Sequence, residues 1–152
     1  MNITLPIDVT KQIGDSPFQG IACSFIKLND EWGLKAYSCS YRRDTAFNNQ
    51  KEYFEAGFSI EPGQKIDIQE SGLYCYTTRI AEIICQCGET WKREEELTKK
   101  YGEQIREEMY AMHQAGLYPR DTHFANWGIF EGRLVLIDLG MDGYSSDYSD
   151  DW

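Results

Sequence analysis

The chain has 152 residues, of which 41% are hydrophobic and 14% aromatic. This length suits one domain or two small lobes, and this composition excludes an intrinsically disordered chain, apart from its ends. The formal net charge of -10 argues against a nucleic-acid backbone or an anionic membrane as partner, because both would repel an acidic surface.

The first predicted elements are two short strands, within residues 21–40, that flank a turn of sequence NDEWG. Lys35 lies in the second of these strands. A helix is predicted next, over residues 44–58, with Asp44 or Thr45 as its N-cap. Its expected apolar stripe consists of Phe47, Phe54 and Phe58.

Two alternating strands follow this helix. Pro62 and Gly63 are expected to end the helix, since neither residue favours a helix interior. The strands are predicted over residues 64–69 and 72–80, with a turn of sequence ESG between them.

The longest periodic segment, residues 89–116, predicts an amphipathic helix. Gly102 is expected to weaken this helix and Gly116 to end it. Apolar residues recur at mostly three- and four-residue steps, and they are Trp91, Leu97, Tyr101, Ile105, Met109 and Met112.

A polar loop over residues 118–126 comes after the long helix. Two strands follow it, at 126–130 and 133–138, with a turn at Glu131 and Gly132. Strands and helices in this order lack the alternation of parallel βαβ units, so the predicted fold class is α+β.

The loop and the last hairpin carry three polar residues at a distinctive spacing. Asn126 follows Asp121 by five residues, and the hairpin closes on the sequence DLG, which begins at Asp138. This pattern resembles the catalytic loop and metal-binding turn of the protein-kinase-like superfamily. The sequence DTHFAN, which includes His123, is similar to the D-x-H-x-x-N loop of aminoglycoside-phosphotransferase-like and other atypical small kinases. Pro119 replaces the usual first histidine.

The resemblance implies a role for each of these residues. Asp138 would chelate a Mg²⁺ ion that bridges the phosphates of ATP, and Asn126 would hold a second ion. Asp121 would orient the acceptor hydroxyl and take its proton. His123 would lie at the nucleotide site or brace the loop by a hydrogen bond. Without the resemblance, Asp121, Asn126 and Asp138 would be read as turn-capping residues.

The N-terminal half resembles the kinase nucleotide site more weakly. The sequence IGDSPFQGIA is similar to a glycine-rich phosphate loop, in which Gly14, Ser16 and Gly20 would approach the phosphates. A plain β-turn is the alternative. Ser16 and Gln19 stand where glycines would let the backbone come closer.

Lys35 fits the strand lysine of the same family, which contacts the α- and β-phosphates. Its implied partner is a helix glutamate, either Glu52 or Glu55. The resemblance also implies that the adenine lies beside the segment from residue 79 to residue 82. Backbone groups would bind the base there, at the residues Arg79, Ile80 and Ala81.

The same resemblance divides the chain into a kinase-like N-lobe at 1–82, a truncated C-lobe at 83–140 and an acidic tail at 141–152. The tail is too short for an activation segment or for the helices that hold peptide substrates. Substrate recognition would therefore be abbreviated, absent or supplied by a second subunit, and a homodimer is one alternative.

Three functions follow as alternatives. The first is an ATP- and Mg²⁺-dependent phosphotransferase that acts on a hydroxyl of a protein or small molecule. The second is a pseudokinase-like module that binds nucleotide or a partner without turnover, and the third is an acidic, non-enzymatic mimic of nucleic acid. The sequence shows no signal peptide and no apolar run of membrane-spanning length, so we expect a cytoplasmic protein. Its five cysteines are expected to be reduced.

Overall fold

A computed structural model describes residues 24–68, 72–85, 90–120 and 122–137. These parts of the chain form a mixed α+β fold with two antiparallel sheets and two α-helices, which confirms the predicted class. The elements in chain order are β1 (Ser24–Lys27), β2 (Trp32–Tyr37), α1 (Ser40–Glu55), β3 (Pro62–Ile68), β4 (Leu73–Arg79), β5 (Glu82–Ile83), α2 (Thr90–Gln114), a short 3-10 helix (Phe124–Asn126), β6 (Trp127–Phe130) and β7 (Arg133–Leu136).

The first sheet has the strand order β1-β2-β4-β3. The predicted hairpin of β1 and β2 is confirmed, but its turn is shorter than expected because Trp32 and Gly33 already belong to β2. The side chain of Asn29 tightens this turn by accepting hydrogen bonds from the backbone N–H groups of Glu31 and Trp32, at 2.8 and 2.7 Å. Such a side chain replaces backbone partners in a turn.

Helix α1 lies on one face of this sheet and differs from its prediction. It begins at Ser40, with Cys39 as N-cap residue, and not at Asp44 or Thr45. The predicted phenylalanine stripe is wrong, because Phe54 is 38% exposed and Phe58 lies beyond the end of the helix. The side chains that α1 buries are Arg43, Gln50 and Tyr53.

The sheet explains this unusual helix face. Tyr74 and Tyr76 of β4 point toward α1, as shown by the Arg43 guanidinium 5.7 Å from the Tyr74 ring and by the hydrogen bond between Tyr76 and Gln50. The hydroxyl of the buried Tyr76 requires a hydrogen-bond partner, and Gln50 of the helix provides it. The opposite face of the sheet is apolar, with Leu34, Ala36 and Cys75 buried together.

Gly57, and not the predicted Pro62 and Gly63, ends α1. Gly57 has a φ of 92°, and the N–H groups of Gly57 and Phe58 donate to the carbonyls of Phe54 and Tyr53. This is the Schellman arrangement, which needs a left-handed residue and therefore favours glycine. Pro62 and Gly63 belong to β3 instead.

Helix α2 is confirmed over nearly its predicted length, and Gly116 ends it as expected, with a φ of 80°. Gly102 does not interrupt it. Trp91 was wrongly placed on the apolar stripe, since it is 73% exposed. The rest of the stripe packs into the largest core, whose most deeply buried members include Leu97, Ile105, Met112, Trp127 and Leu136.

The second sheet has the order β5-β6-β7, and its hairpin turns at Glu131 and Gly132 as predicted. The segment after α1 attaches to this hairpin, because Ser59 Oγ donates to the Leu136 carbonyl at 2.6 Å and Leu136 N–H donates to the Phe58 carbonyl. The hairpin therefore connects α1, which packs on the first sheet, to the hydrophobic core that includes α2. Within the described ranges, no helix is long and apolar enough to cross a membrane.

Candidate functional site

Lys35 lies at the centre of β2, and its ammonium group reaches the end of β7. The Nζ atom donates to the backbone carbonyl of Ile137 at 2.9 Å, which joins positions 102 residues apart in the chain. It also lies 5.8 Å from the centroid of the Tyr76 ring. In the sequence, Ile137 directly precedes Asp138, the first residue of the predicted metal-binding turn.

Asn126 is brought to the same place. It is the last residue of the 3-10 helix, its side chain is buried, and its carbonyl accepts a hydrogen bond from Ile137 N–H at 2.8 Å. Ile137 therefore has its N–H bound to Asn126 and its carbonyl bound to Lys35. Ile137 therefore connects two predicted site residues, one in β2 and one in the 3-10 helix that precedes β6.

The loop before Asn126 is fixed by two further hydrogen bonds. His123 Nδ1 accepts from the N–H of Ala125 at 3.2 Å, while the His123 side chain is exposed. The indole N–H of the fully buried Trp127 donates to the Thr122 carbonyl at 3.0 Å. The bracing role considered for His123 is thus present, and Trp127 is a second brace that sequence analysis missed.

Several predicted site residues lie outside the described ranges: Gly14, Ser16, Gly20, Asp121, Asp138 and the glycine of the DLG turn. The structure does describe Thr122, which follows Asp121 in the chain, and Ile137, which precedes Asp138. In the described part of the chain, no three His, Cys, Asp or Glu side chains gather in a way that would hold a metal. That finding does not test the predicted site at Asp138, because Asp138 lies outside the described ranges.

Glu52 and Glu55 both lie on α1 with exposed side chains. Near Lys35, α1 directs Phe47 and Gln50 at Tyr76, and the Gln50 Oε1 atom accepts a hydrogen bond from the Tyr76 hydroxyl at 2.8 Å. A glutamate partner for Lys35 therefore stays a prediction. Gln50 was missed because the phenylalanine pattern placed the buried face of α1 elsewhere.

The segment predicted to lie beside adenine is held by other contacts. The N–H groups of Arg79 and Ile80 donate to the carbonyls of Glu61 and Glu31. The Arg79 guanidinium pairs with the Glu31 carboxylate at 3.1 Å and lies 4.5 Å from the Trp32 ring. Ala81 is buried with Ile60 and Val135, and so it supports the hairpin more than it offers a surface.

Two buried groups fix α1 on either side of Gln50. At one end, Arg43 donates to Asp67 and Asp44, at 2.7 and 2.6 Å. At the other end, burial raises the pKa of Tyr53 to about 12, and the charge of Glu52 adds to this effect, while a hydrogen bond to the Tyr118 backbone opposes it. Tyr53 thereby links α1 to the loop that follows α2.

No family model matches this chain, and no curated protein sequence does so either. The chemistry of the site is therefore inferred from its own residues.

Proposed function

We propose that this protein is a minimal ATP- and Mg²⁺-dependent phosphotransferase of the protein-kinase-like type. The observation that supports it best is the hydrogen bond from Lys35 Nζ to the carbonyl of Ile137. Two separately predicted residues, the strand lysine and the loop asparagine, form hydrogen bonds with Ile137, the residue that precedes the DLG sequence. A solvated strand lysine and an unrelated turn asparagine would give no reason for this shared partner.

The proposed reaction transfers the γ-phosphoryl group of ATP to a hydroxyl of a protein or small molecule. The bond between the γ-phosphorus and the bridging oxygen breaks, a new bond forms to the acceptor oxygen, and ADP leaves. Asp121 takes the hydroxyl proton as the general base. Lys35 contacts the phosphates as a positive charge, and the nearby Ile137 carbonyl holds it in place before ATP binds.

Asp138 would hold one magnesium ion and Asn126 a second ion in this proposal. Carboxylate and amide oxygens are hard ligands, which Mg²⁺ prefers, and Asn126 is 7% exposed at the end of its 3-10 helix. When bound, each ion would supply positive charge to the phosphate oxygens. The donor chemistry fits such ions, because both side chains offer oxygen atoms, and the Asn126 backbone carbonyl is bound to Ile137, which precedes Asp138 in the sequence.

A thermal-shift experiment tests the cation site. We expect ATP with Mg²⁺, but not ATP alone, to raise the melting temperature, because ligand binding stabilises the folded state. The Asp138→Asn variant should lose this shift. Asp30→Asn, at a surface aspartate whose side chain is 99% exposed, is the matched control and should keep it. An Asp138→Asn protein that shifts like the wild type would contradict the assignment.

Measuring ADP release with candidate hydroxyl acceptors tests the chemistry. Asp121→Asn should bind ATP and Mg²⁺ normally but release ADP at least a hundredfold more slowly, since general-base catalysis contributes about that much. Equal release by both proteins would remove Asp121 from the mechanism.

The second candidate is a pseudokinase-like module that binds nucleotide without turnover. The exposed positions of Glu52 and Glu55 favour it, because a strand lysine of an active site is expected to pair with a helix glutamate. This candidate predicts the same Mg²⁺-dependent thermal shift and no ADP release with any acceptor.

A further inference from the structure

Gln50 is almost completely buried, at 2% exposure, and both polar atoms of its side chain form hydrogen bonds. Its Nε2 atom donates to the Ile60 carbonyl at 3.0 Å and to Thr78 Oγ1 at 2.6 Å. Its Oε1 atom accepts from the Tyr76 hydroxyl at 2.8 Å. A buried amide with all of these bonds has one orientation, and so it fixes the Tyr76 hydroxyl.

Tyr76 in turn lies beside Lys35. The two residues are direct partners in the pairing of β2 with β4, and the ammonium group is 5.8 Å from the ring centroid. Phe47 contacts the ring edge-on at 5.4 Å between centroids, and Tyr37 stacks nearly parallel to it at 6.2 Å. The ring, at 1% exposure, is held on several sides.

We infer that Gln50 and Tyr76 are positioning residues that hold the Lys35 ammonium group at the Ile137 carbonyl. The ring attracts the cation through its negative face. Donation of the Tyr76 hydroxyl to Gln50 increases the electron density of the ring and strengthens that attraction. A neutral amide can do this without neutralising the lysine, which keeps its charge for the phosphates. The catalytic consequence rests on the proposed function, whereas the positioning itself does not.

The carbonyl ¹³C chemical shift of Ile137 tests the positioning without nucleotide. The Lys35→Met variant provides the reference value of the Ile137 chemical shift for a protein that lacks this hydrogen bond. Tyr76→Leu, which removes the ring, should move the Ile137 shift most of the way to that value, and Tyr76→Phe should move it part of the way. If Tyr76→Leu does not fold, Tyr76→Phe decides the question.

Tyr74→Leu is the matched control. Tyr74 lies two residues away on the same face of β4, but its ring contacts the Arg43 guanidinium, whereas the Lys35 ammonium group lies over the Tyr76 ring. It should leave the Ile137 shift unchanged. The inference is overturned if the Tyr76 variants leave the shift in place, or if Tyr74→Leu moves it equally.

A double-mutant cycle tests the consequence for the site. Tyr76→Leu, which removes the ring, should weaken ATP·Mg²⁺ binding about threefold when Lys35 is present, because a cation–ring contact contributes roughly that factor. It should have no effect in a Lys35→Met background. Equal effects in both backgrounds would show a merely structural role. If the wild type binds no ATP·Mg²⁺, the proposed function fails, while the Ile137 shift still decides the positioning.

Discussion

Arg43 is the residue on which the contact of α1 with the sheet depends most. Its guanidinium donates to Asp67 and Asp44 and to the Cys75 carbonyl at 2.9 Å. Burial alone would lower the pKa of Arg43, but the hydrogen bonds to the two carboxylates raise it overall. The side chain therefore stays charged although it is buried.

We expect Arg43→Met to lower the free energy of unfolding by about 2 kcal/mol. Hydrogen bonds to charged groups contribute on that scale, and both carboxylates remain partly solvated after the change. Urea denaturation measures this loss. Arg106→Met, at an exposed position of α2, is the control and should change stability by less than about 0.5 kcal/mol. Similar losses in both variants would contradict the structural role of Arg43.

The Arg43 contacts also predict acid sensitivity. The hydrogen bond from Arg43, with another from Lys65, holds the pKa of Asp44 below its ordinary value, although slight burial opposes this. A lowered folded-state pKa stabilises the protein at pH values above the unfolded value of about 3.9, and this stabilisation is lost as the pH falls through the folded value. Urea denaturation between pH 6 and pH 2 should show a smaller acid loss for Asp44→Asn than for the wild type. Parallel curves for the two proteins would exclude Asp44 as a source of the stability that is lost in acid.

The raised pKa of Tyr53 predicts that the protein loses stability as the pH rises. The Tyr53 pKa is raised to about 12, whereas an unfolded tyrosine titrates near about 10. The folded state therefore favours the neutral phenol, and this stabilisation is complete below pH 10 and falls as the pH rises toward 12. Tyr53→Phe should lose less stability than the wild type over this range in urea titrations. An unchanged alkaline slope would contradict the burial of the hydroxyl.

At the scale of elements, the structure and the sequence stripe disagree about Trp91 of α2. Leu97 is fully buried while Trp91 is 73% exposed. Leu97→Ala should therefore cost about 2 to 5 kcal/mol in unfolding free energy, and Trp91→Ala less than about 1 kcal/mol. Chemical denaturation of the two variants checks this order. A larger loss for Trp91→Ala would mean that the start of α2 packs differently.

The elements that sequence predicted best are those with local signals. Helix α2 has a long apolar repeat and a terminal Gly116, and the β6–β7 hairpin has a two-residue turn at Glu131 and Gly132. Helix α1 was misplaced because its buried face is polar. Gln50 is buried against the Tyr76 hydroxyl, and Arg43 is buried against Asp67 and the Cys75 carbonyl, partners that lie more than twenty residues away. No apolar periodicity within α1 carries that information.

For the whole molecule, the proximity of Lys35, Asn126 and Ile137 depends on how the two sheets pack. The resemblance to kinases suggested Lys35 and Asn126 as members of one site, and both form hydrogen bonds with one residue, Ile137. The residue spacing did not reveal Gln50 or Tyr76, since their place beside Lys35 depends on the register of β2 with β4. Long-range register is set by packing and not by local sequence.

The most direct test is a crystal structure with a non-hydrolysable ATP analogue and Mn²⁺, whose anomalous signal locates the cation. We predict one peak at Asp138 and a second at Asn126, each roughly 2.1 Å from a side-chain oxygen, the distance of an octahedral divalent ion from its oxygen ligands, with the phosphate chain beside Lys35. A nucleotide bound elsewhere, or an anomalous peak away from both residues, would contradict a phosphotransferase site at Ile137.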